Sequence, residues 1–284
     1  MPEQLKFGLC GINGGVTSYP EALTRIAQAA ETAGFDSLWA GEHHVIATSS
    51  QMIPATSRFL NPVVALTFVA AHTRTIRLGT GILLLPQYQP LILAKELASL
   101  DVLSGGRLIV GIGVGWAQAE FEALGVPFHE RGARTDEYLA AMRAIWSEGT
   151  PAYHGRYVSF QEVQAYPHPV QQPFPPIVVG GRALGALRRT VEQANGWYGY
   201  AVDLDEAATL LAQLKEAARR YERPASLGEL EISVAPRVPL DKATAQRFAE
   251  LGVQRLILIP PRGADAPALE QWISTMGETL VGQV

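Results

Sequence analysis

Cys10 is the only cysteine in the chain, so no disulfide framework can staple the fold from within. It lies in an apolar run and reads as a small buried hydrophobe. A basic surplus is also missing, since 23 Lys and Arg against 27 Asp and Glu leave a net charge of -4. Nucleic acid and anionic membrane both call for a basic face, and none stands out. Long hydrophobic runs are absent too: PVVALTFVAA at 62–71 is among the longest and falls far short of a bilayer span. No basic segment with an apolar core precedes Leu5, so the expectation is a soluble cytoplasmic protein. No HExxH motif occurs, because His129-Glu130 runs into Arg131-Gly132, and no metal centre is expected.

What the chain does have is alternation. Residues 5–10 read as a strand, and Leu23, Ile26, Ala27, Ala30 and Ala33 share one face of a helix over 21–33 that Gly34 can end. Further strands are predicted at 34–40, 76–86, 107–113, 175–181, 195–200, 230–236 and 254–260. Helices fall between them: one at 62–73, one striped by Leu93, Leu97 and Leu100, and one by Tyr138, Met142, Ile145 and Trp146. The last four cover 183–194, 204–221, 241–251 and 267–281. Asp203 and Glu206 are spaced for a capping box on the helix that starts at Leu204. Residues 150–175 carry Pro151, Gly155, Pro167, Pro169, Pro173 and Pro175 and break the rhythm, as an excursion with a small hairpin around AYHGRYVSF. Eight strands apolar on both faces, alternating with eight helices, predict an α/β fold: a (β/α)8 TIM barrel, one domain over 1–284. A doubly wound open sheet is the alternative.

In a barrel the C-terminal strand ends converge on one site. Here they carry glycines and aromatics, one acid and two histidines, which suits a flat organic cofactor better than a metal or a sugar. GFDSLWAGEHH, at 34–44, reads as a strand ending in Glu42, His43 and His44. His43 is the candidate proton donor or polarising group; a structural histidine bonding a loop is the other reading. Glu42 could orient His43 or raise its pKa, or lie on an exposed rim. Gly180-Gly181-Arg182 stands between a strand and a helix, where backbone amides and a helix N-terminus can cradle a phosphate. Arg182 could add a charge-assisted contact, while a plain tight turn would want the same small residues. GIGVG at 111–115 fails as a dinucleotide fingerprint because Trp116 stands where its last glycine belongs. Gly113 and Gly115 can still let a ring approach the backbone closely.

Taken in order, GFDSLWAGEHH, LGTGILLLP, AKELASLDVLSGGRLIVGIGVGW, FEALGVPFHERGARTDEYLAAMRAIW and PPIVVGG resemble the luciferase-like monooxygenase superfamily. Within it they resemble the branch of coenzyme F-420 (deazaflavin)-dependent oxidoreductases. The resemblance runs from about Leu5 to Pro260. It implies a barrel binding coenzyme F-420, or alternatively FMN, across its C-terminal mouth. The ring would lie over the third strand at Thr80, Gly81 and Ile82, near Trp197, with the phosphate at Gly180-Gly181. His43 matches a strand-2 histidine that is catalytic or touches the ring, and Glu42 matches the acid before it. Gly81-Ile82 matches the place where several members hold a non-prolyl cis peptide.

Two departures bear on the substrate. Trp116 stands where some deazaflavin dehydrogenases carry a glutamate proton donor, so Trp116, with His44, is expected to wall a pocket for an apolar or aromatic substrate. Asn195-Gly196-Trp197 replaces the usual Asp-Gly-Trp, which makes that acid dispensable but leaves the turn. The resemblance implies hydride transfer between F-420 and a small organic substrate. An FMN-dependent monooxygenase supplied by a flavin reductase is the alternative, and a non-catalytic flavin-binding barrel is a third reading. Arg131, Arg134 and Arg156 are candidates for the cofactor's anionic tail. The resemblance also implies a homodimer, for which PVVALTFVAA at 62–71 is a candidate contact, although a buried intrachain face explains that helix equally well.

Overall fold

Strands that are apolar on both faces must be covered on both sides, and this chain achieves that by closing a sheet on itself. The computed structural model describes residues 4–147 and 149–284. Its barrel strands are β1 Lys6–Cys10, β2 Ser37–Ala40, β3 Arg77–Thr80, β4 Leu108–Gly113, β5 Ile177–Gly180, β6 Gly196–Val202, β7 Glu231–Pro236 and β8 Arg255–Leu258. All neighbours are parallel; β1 pairs with β8, and β3 pairs with β4 through Leu78–Leu108 and Gly79–Ile109, which closes the ring. The helices are α1 Pro20–Thr32, α2 Pro62–His72, α3 Pro90–Ser104, α4 Gln118–Ala123, α5 Arg131–Trp146, α6 Leu184–Gln193, α7 Leu204–Arg220, α8 Lys242–Glu250 and α9 Ala266–Leu280. Eight of them alternate with the strands; the short α4 is an insertion after β4 that periodicity does not announce.

Local chemistry sets the boundaries. The Asp203 side chain accepts from the Glu206 amide, and Glu206 accepts from the Asp203 amide, so the capping box at the start of α7 is formed. Asn61 caps α2 by accepting from the Val64 amide, and Gly105 ends α3 in a left-handed conformation at φ 68°. In the 150–175 excursion, Tyr153–His154 pairs antiparallel with Ser159–Phe160, giving the expected hairpin. The third strand differs from expectation. The run at 76–86 is not one strand: β3 ends at Thr80, the Gly81–Ile82 peptide is cis, Leu83–Leu84 pair briefly with Ile112–Gly113, and Leu85–Gln87 form a 3-10 turn. Leu83, Leu84 and Leu85 are all buried, so burial rather than strand geometry accounts for that apolar run.

The barrel interior draws one residue each from seven strands: Cys10, Trp39, Ile109, Val178, Tyr198, Ala235 and Ile257. Trp39 and Tyr198 stack there with ring centroids 5.5 Å apart. On the missing strand, β3, a Cβ at Gly79 would fall 2.5 Å from the Trp39 ring, so glycine is what lets the indole lie across the barrel. The N-terminal end of the barrel is plugged by Arg255, which is fully buried. Its guanidinium bonds Asp36 at 2.7 Å, Ser233 at 3.3 Å and Glu231.

Candidate active site

At the opposite end the chain leaves β2 through Gly41. Asn13, fully buried, receives the Gly41 amide on Oδ1 at 3.0 Å and donates to the carbonyls of Gly41 and Leu60 at 2.7 and 2.6 Å. One side chain thus ties the ends of β1 and β2 to the segment entering α2. Glu42, His43 and His44 follow directly, and alternation along an extended backbone sends neighbours different ways.

Glu42 turns inward. It is buried, and it accepts bonds from the Leu84 amide at 2.6 Å and from the Tyr88 hydroxyl, with His44 Nε2 3.6 Å away. Burial pushes its carboxyl up to about 7, against the lowering effect of the Tyr88 and Leu84 bonds. Glu42 therefore does not orient His43 as the sequence suggested; it is committed to Tyr88, Leu84 and the neighbourhood of His44. The His44 ring packs edge-on to Tyr88 at 5.0 Å, and burial lowers its pKa.

His43 meets a different carboxylate. Glu120, on α4 and only 2% exposed, places Oε2 3.4 Å from His43 Nδ1, while Oε1 accepts from the amides of His44 at 2.6 Å and Val45 at 3.3 Å. Burial alone would raise the Glu120 carboxyl, but the bonds from His43 and the two amides outweigh it and hold it below its ordinary value. The His43 ring edges onto Phe59 at 5.7 Å and Trp116 at 6.1 Å. A cavity of about 240 Å³ opens beside it, with Val45, Ile46, Ile53 and Trp116 among its walls. Sequence reading missed Glu120. Glu120 and Glu122 in one helical turn look equally solvated, and only the burial of the adjacent Phe121 could have shown which way that turn faces.

The other expected residues are arranged as a floor and a far rim. Gly81 and Ile82 are half-buried at the mouth. A Cβ at Gly113 would lie 2.0 Å from Ile82 Cδ1, and one at Gly180 would lie 3.0 Å from it, so these two glycines give Ile82 room to lie flat between β4 and β5. Gly115 turns at φ +77°, with the Phe121 ring 2.7 Å from where a Cβ would be. Thr80 is fully buried, and its hydroxyl donates to the Gly111 carbonyl at 2.8 Å and accepts from the Gly111 amide at 2.7 Å. It belongs to the wall and presents nothing to a ligand. Trp197 is likewise fully buried; its Nε1 donates to the Gly181 carbonyl at 2.9 Å, so it braces the glycine turn from beneath.

Gly181 stands exposed at φ 129°, and α6 begins after Ala183 with no side-chain cap on its first amides. Arg182 is less free than expected: it donates to the carbonyls of Tyr200 at 2.7 Å and Ala201 at 3.0 Å and lies 3.6 Å from Glu206. Asn195, where an acid is usual, accepts from the Ile177 amide at 2.9 Å and donates to the Leu227 carbonyl at 3.3 Å, so its amide fills the turn neutrally. The three outlying arginines are engaged elsewhere. Arg134 and Arg156 both bond Glu130, and Arg131 bonds the Phe128 carbonyl and lies over the Phe128 ring.

The model of the luciferase-like monooxygenase family matches residues 9–274. The chain belongs to the luciferase-like monooxygenase family. An uncharacterized protein of Mycobacterium tuberculosis is 35% identical over 268 residues, covering 89% of this chain and 91% of that one. The oxygenase component of a flavin-dependent trigonelline monooxygenase from Acinetobacter baylyi is 33% identical over 164 residues, 57% of this chain and 43% of that protein. A coenzyme F420 dependent tetrahydromethanopterin reductase from Methanopyrus kandleri superposes with a TM-score of 0.79 at 18% identity, over 98% of this chain and 99% of that one. At that identity the likeness shows the barrel and no more. This luciferase-like protein is an oxidoreductase by family, and its mouth fits a flat ring with an anionic tail. The floor of Gly81 and Ile82 is apolar, both carboxylates nearest it are turned under the loop, and uncapped amides stand at the far rim.

Proposed function

We propose that the protein transfers hydride between coenzyme F-420 and a small apolar organic substrate, with His43 handling the proton. One observation carries this reading: a histidine backed by a buried carboxylate edges onto Trp116 beside an apolar-walled cavity of about 240 Å³, at the strand ends where barrels place their chemistry. An apolar cavity of about 150 Å³ already admits benzene, so this one suits a substrate of one or two rings.

When bound, the deazaflavin supplies a carbon that accepts and returns hydride. Gly81 and Ile82 form the floor on which its ring would rest, and Gly113, Gly115 and Gly180 keep that floor clear of side chains. The exposed amides of Gly181 and the α6 N-terminus would hold its phosphate. Trp116 walls the substrate side and excludes water, and His43 gives or takes a proton at Nε2, the ring nitrogen away from Glu120. Glu42 and His44 shape the back of the loop.

The second reading, an FMN-dependent monooxygenase that takes reduced flavin from a reductase and consumes oxygen, draws support from the likeness to the trigonelline enzyme's oxygenase component. Titrating the apoprotein with F-420 and, separately, with FMN while following tryptophan fluorescence divides the two. Micromolar F-420 binding with weak FMN binding is expected; the reverse order would replace the first reading by the second, and binding of neither ring would remove both. His43→Ala should leave affinity for the ring within a few-fold and lower turnover about 10²–10⁴-fold. Undiminished turnover would end the catalytic assignment of His43.

A homodimer through α2 and α3 belongs to the same reading. Val64 on α2 and Ile92 and Leu103 on α3 are 61–68% exposed, an apolar display that a second copy would cover. Light scattering that gives the mass of one chain at micromolar concentration would remove it. Among the described residues no helix is long and apolar enough to cross a membrane.

A further inference from the structure

Two carboxylates are buried against the segment that carries the histidine pair, Glu42 within it and Glu120 from α4, and they differ in what surrounds them. Glu42 spends its two oxygens on Leu84 and Tyr88. Glu120 spends Oε1 on the amides of His44 and Val45, which would suffice to clamp the loop. That leaves Oε2, on a residue 2% exposed, and its one partner among the described residues is His43 Nδ1 at 3.4 Å. A buried carboxylate oxygen needs a donor, and an imidazole Nδ1–H is the donor on offer. The separation is an ion-pair contact somewhat longer than a charge-assisted hydrogen bond, as catalytic contacts often are before a site is filled.

We infer that Glu120 is the positioning residue of His43: it holds the proton on Nδ1 and so reserves Nε2 for exchange with the substrate. The inference rests on the reading of His43 given above. Phe59 and Trp116, edge-on to the ring from two directions, keep the imidazole from turning over. Because the same carboxylate gathers the amides that follow His43, the loop cannot shift without moving the histidine, and α4, otherwise an unremarked insertion, exists in the right place to deliver it.

The tautomer is directly readable. Long-range proton–nitrogen correlations on the nitrogen-15-labelled apoprotein, at a pH where the imidazole is neutral, report which ring nitrogen carries hydrogen. The His43 signals among the six histidines are identified by their loss in His43→Gln. The wild type should show Nδ1–H with Nε2 bare. In Glu120→Gln the amide oxygen is retained by the two loop amides, so its NH2 group faces Nδ1 and His43 should switch to the Nε2–H form, with the thermal midpoint nearly unchanged. Turnover should fall about 10²–10⁴-fold, the consequence of a histidine locked in the wrong tautomer. A wild-type His43 already in the Nε2–H form overturns the inference outright, whether or not the variant folds. A tautomer that does not change in Glu120→Gln overturns it equally and reduces Glu120 to a loop clamp. If the tautomer switches while His43→Ala keeps full turnover, the positioning stands and the catalytic reading of His43 falls.

Discussion

The two ends of the barrel both bury charge, and they do it in opposite ways. At the N-terminal end one cation, Arg255, is surrounded by Asp36, Glu231 and Ser233, so the buried charge is answered by opposite charge and hydrogen bonds. At the C-terminal mouth two carboxylates, Glu42 and Glu120, sit with no arginine or lysine among their partners; amides, a tyrosine and histidines receive them. The first arrangement is closed and has no proton to lend. The second contains Glu42, whose carboxyl burial pushes up to about 7, so one of its two acids can change charge near neutral pH. Counting charges does not separate the ends; asking what each charge is paired with does.

The comparison can be broken most forcefully at its closed end. Arg255→Ala takes the guanidinium from Asp36 and leaves Glu231 with Lys6 at 3.3 Å, and it should cost about 3 kcal/mol of stability, the lower part of the usual range for breaking a buried pair because both carboxylates keep some solvent contact. Urea unfolding measures this, and cofactor affinity of the folded fraction should not move. A variant as stable as the wild type would show that the plug is inert.

Glu42 sharpens the other side. Its folded value, about 7, lies above the ordinary carboxyl value of 4.5, so its ionisation is harder in the folded chain than in the unfolded one. The stability this group contributes is fully present below pH 4.5 and is lost as pH rises through about 7, a loss on the order of 3 kcal/mol. Unfolding midpoints of Glu42→Gln and wild type, compared from pH 5 to pH 8, should diverge in favour of the variant as pH rises. A difference that stays constant with pH would place the ionisation of Glu42 elsewhere. The smallest effect is expected from Trp197→Phe, which removes the bond to the Gly181 carbonyl at a cost of about 1 kcal/mol. Phosphate-bearing ligands should bind more weakly while riboflavin, which lacks the phosphate, does not; equal weakening of both would mean the indole serves the whole floor.

Most of the barrel was legible because strand burial and helix amphipathicity leave marks in sequence order. The capping box at Asp203 and the hairpin at 153–160 were legible for the same reason, being local. What could not be read was pairing across the mouth. Glu42 is adjacent to His43 in sequence, which suggests partnership, yet alternation along the backbone turns the two apart, and the partner, Glu120, comes from 77 positions later, on a helix that no periodicity marks. Thr80 does end β3, whereas Trp197 is the second residue of β6, which runs on to Val202, and sequence does not say whether such a residue faces the opening or the wall. Arg182 was placed at the right turn, and its bonds to Tyr200 and Ala201 depend on β6 extending two residues beyond the predicted strand.

Thr80 has a wider meaning than its burial suggests. Above Gly79 the main chains of β3 and β4 part, and the next link between them is the Thr80 hydroxyl, which gives one bond to Gly111 and takes one from it. The circumference of the mouth is set at that point by the reach of a side chain instead of the fixed pitch of peptide against peptide. Valine, equal in shape, would leave both Gly111 groups unanswered and split the cylinder along a dry seam, while serine would keep the link with more play in it. A single oxygen atom thus sets the spacing of that seam between Gly79 and the point where Leu83 and Leu84 pair with Ile112 and Gly113.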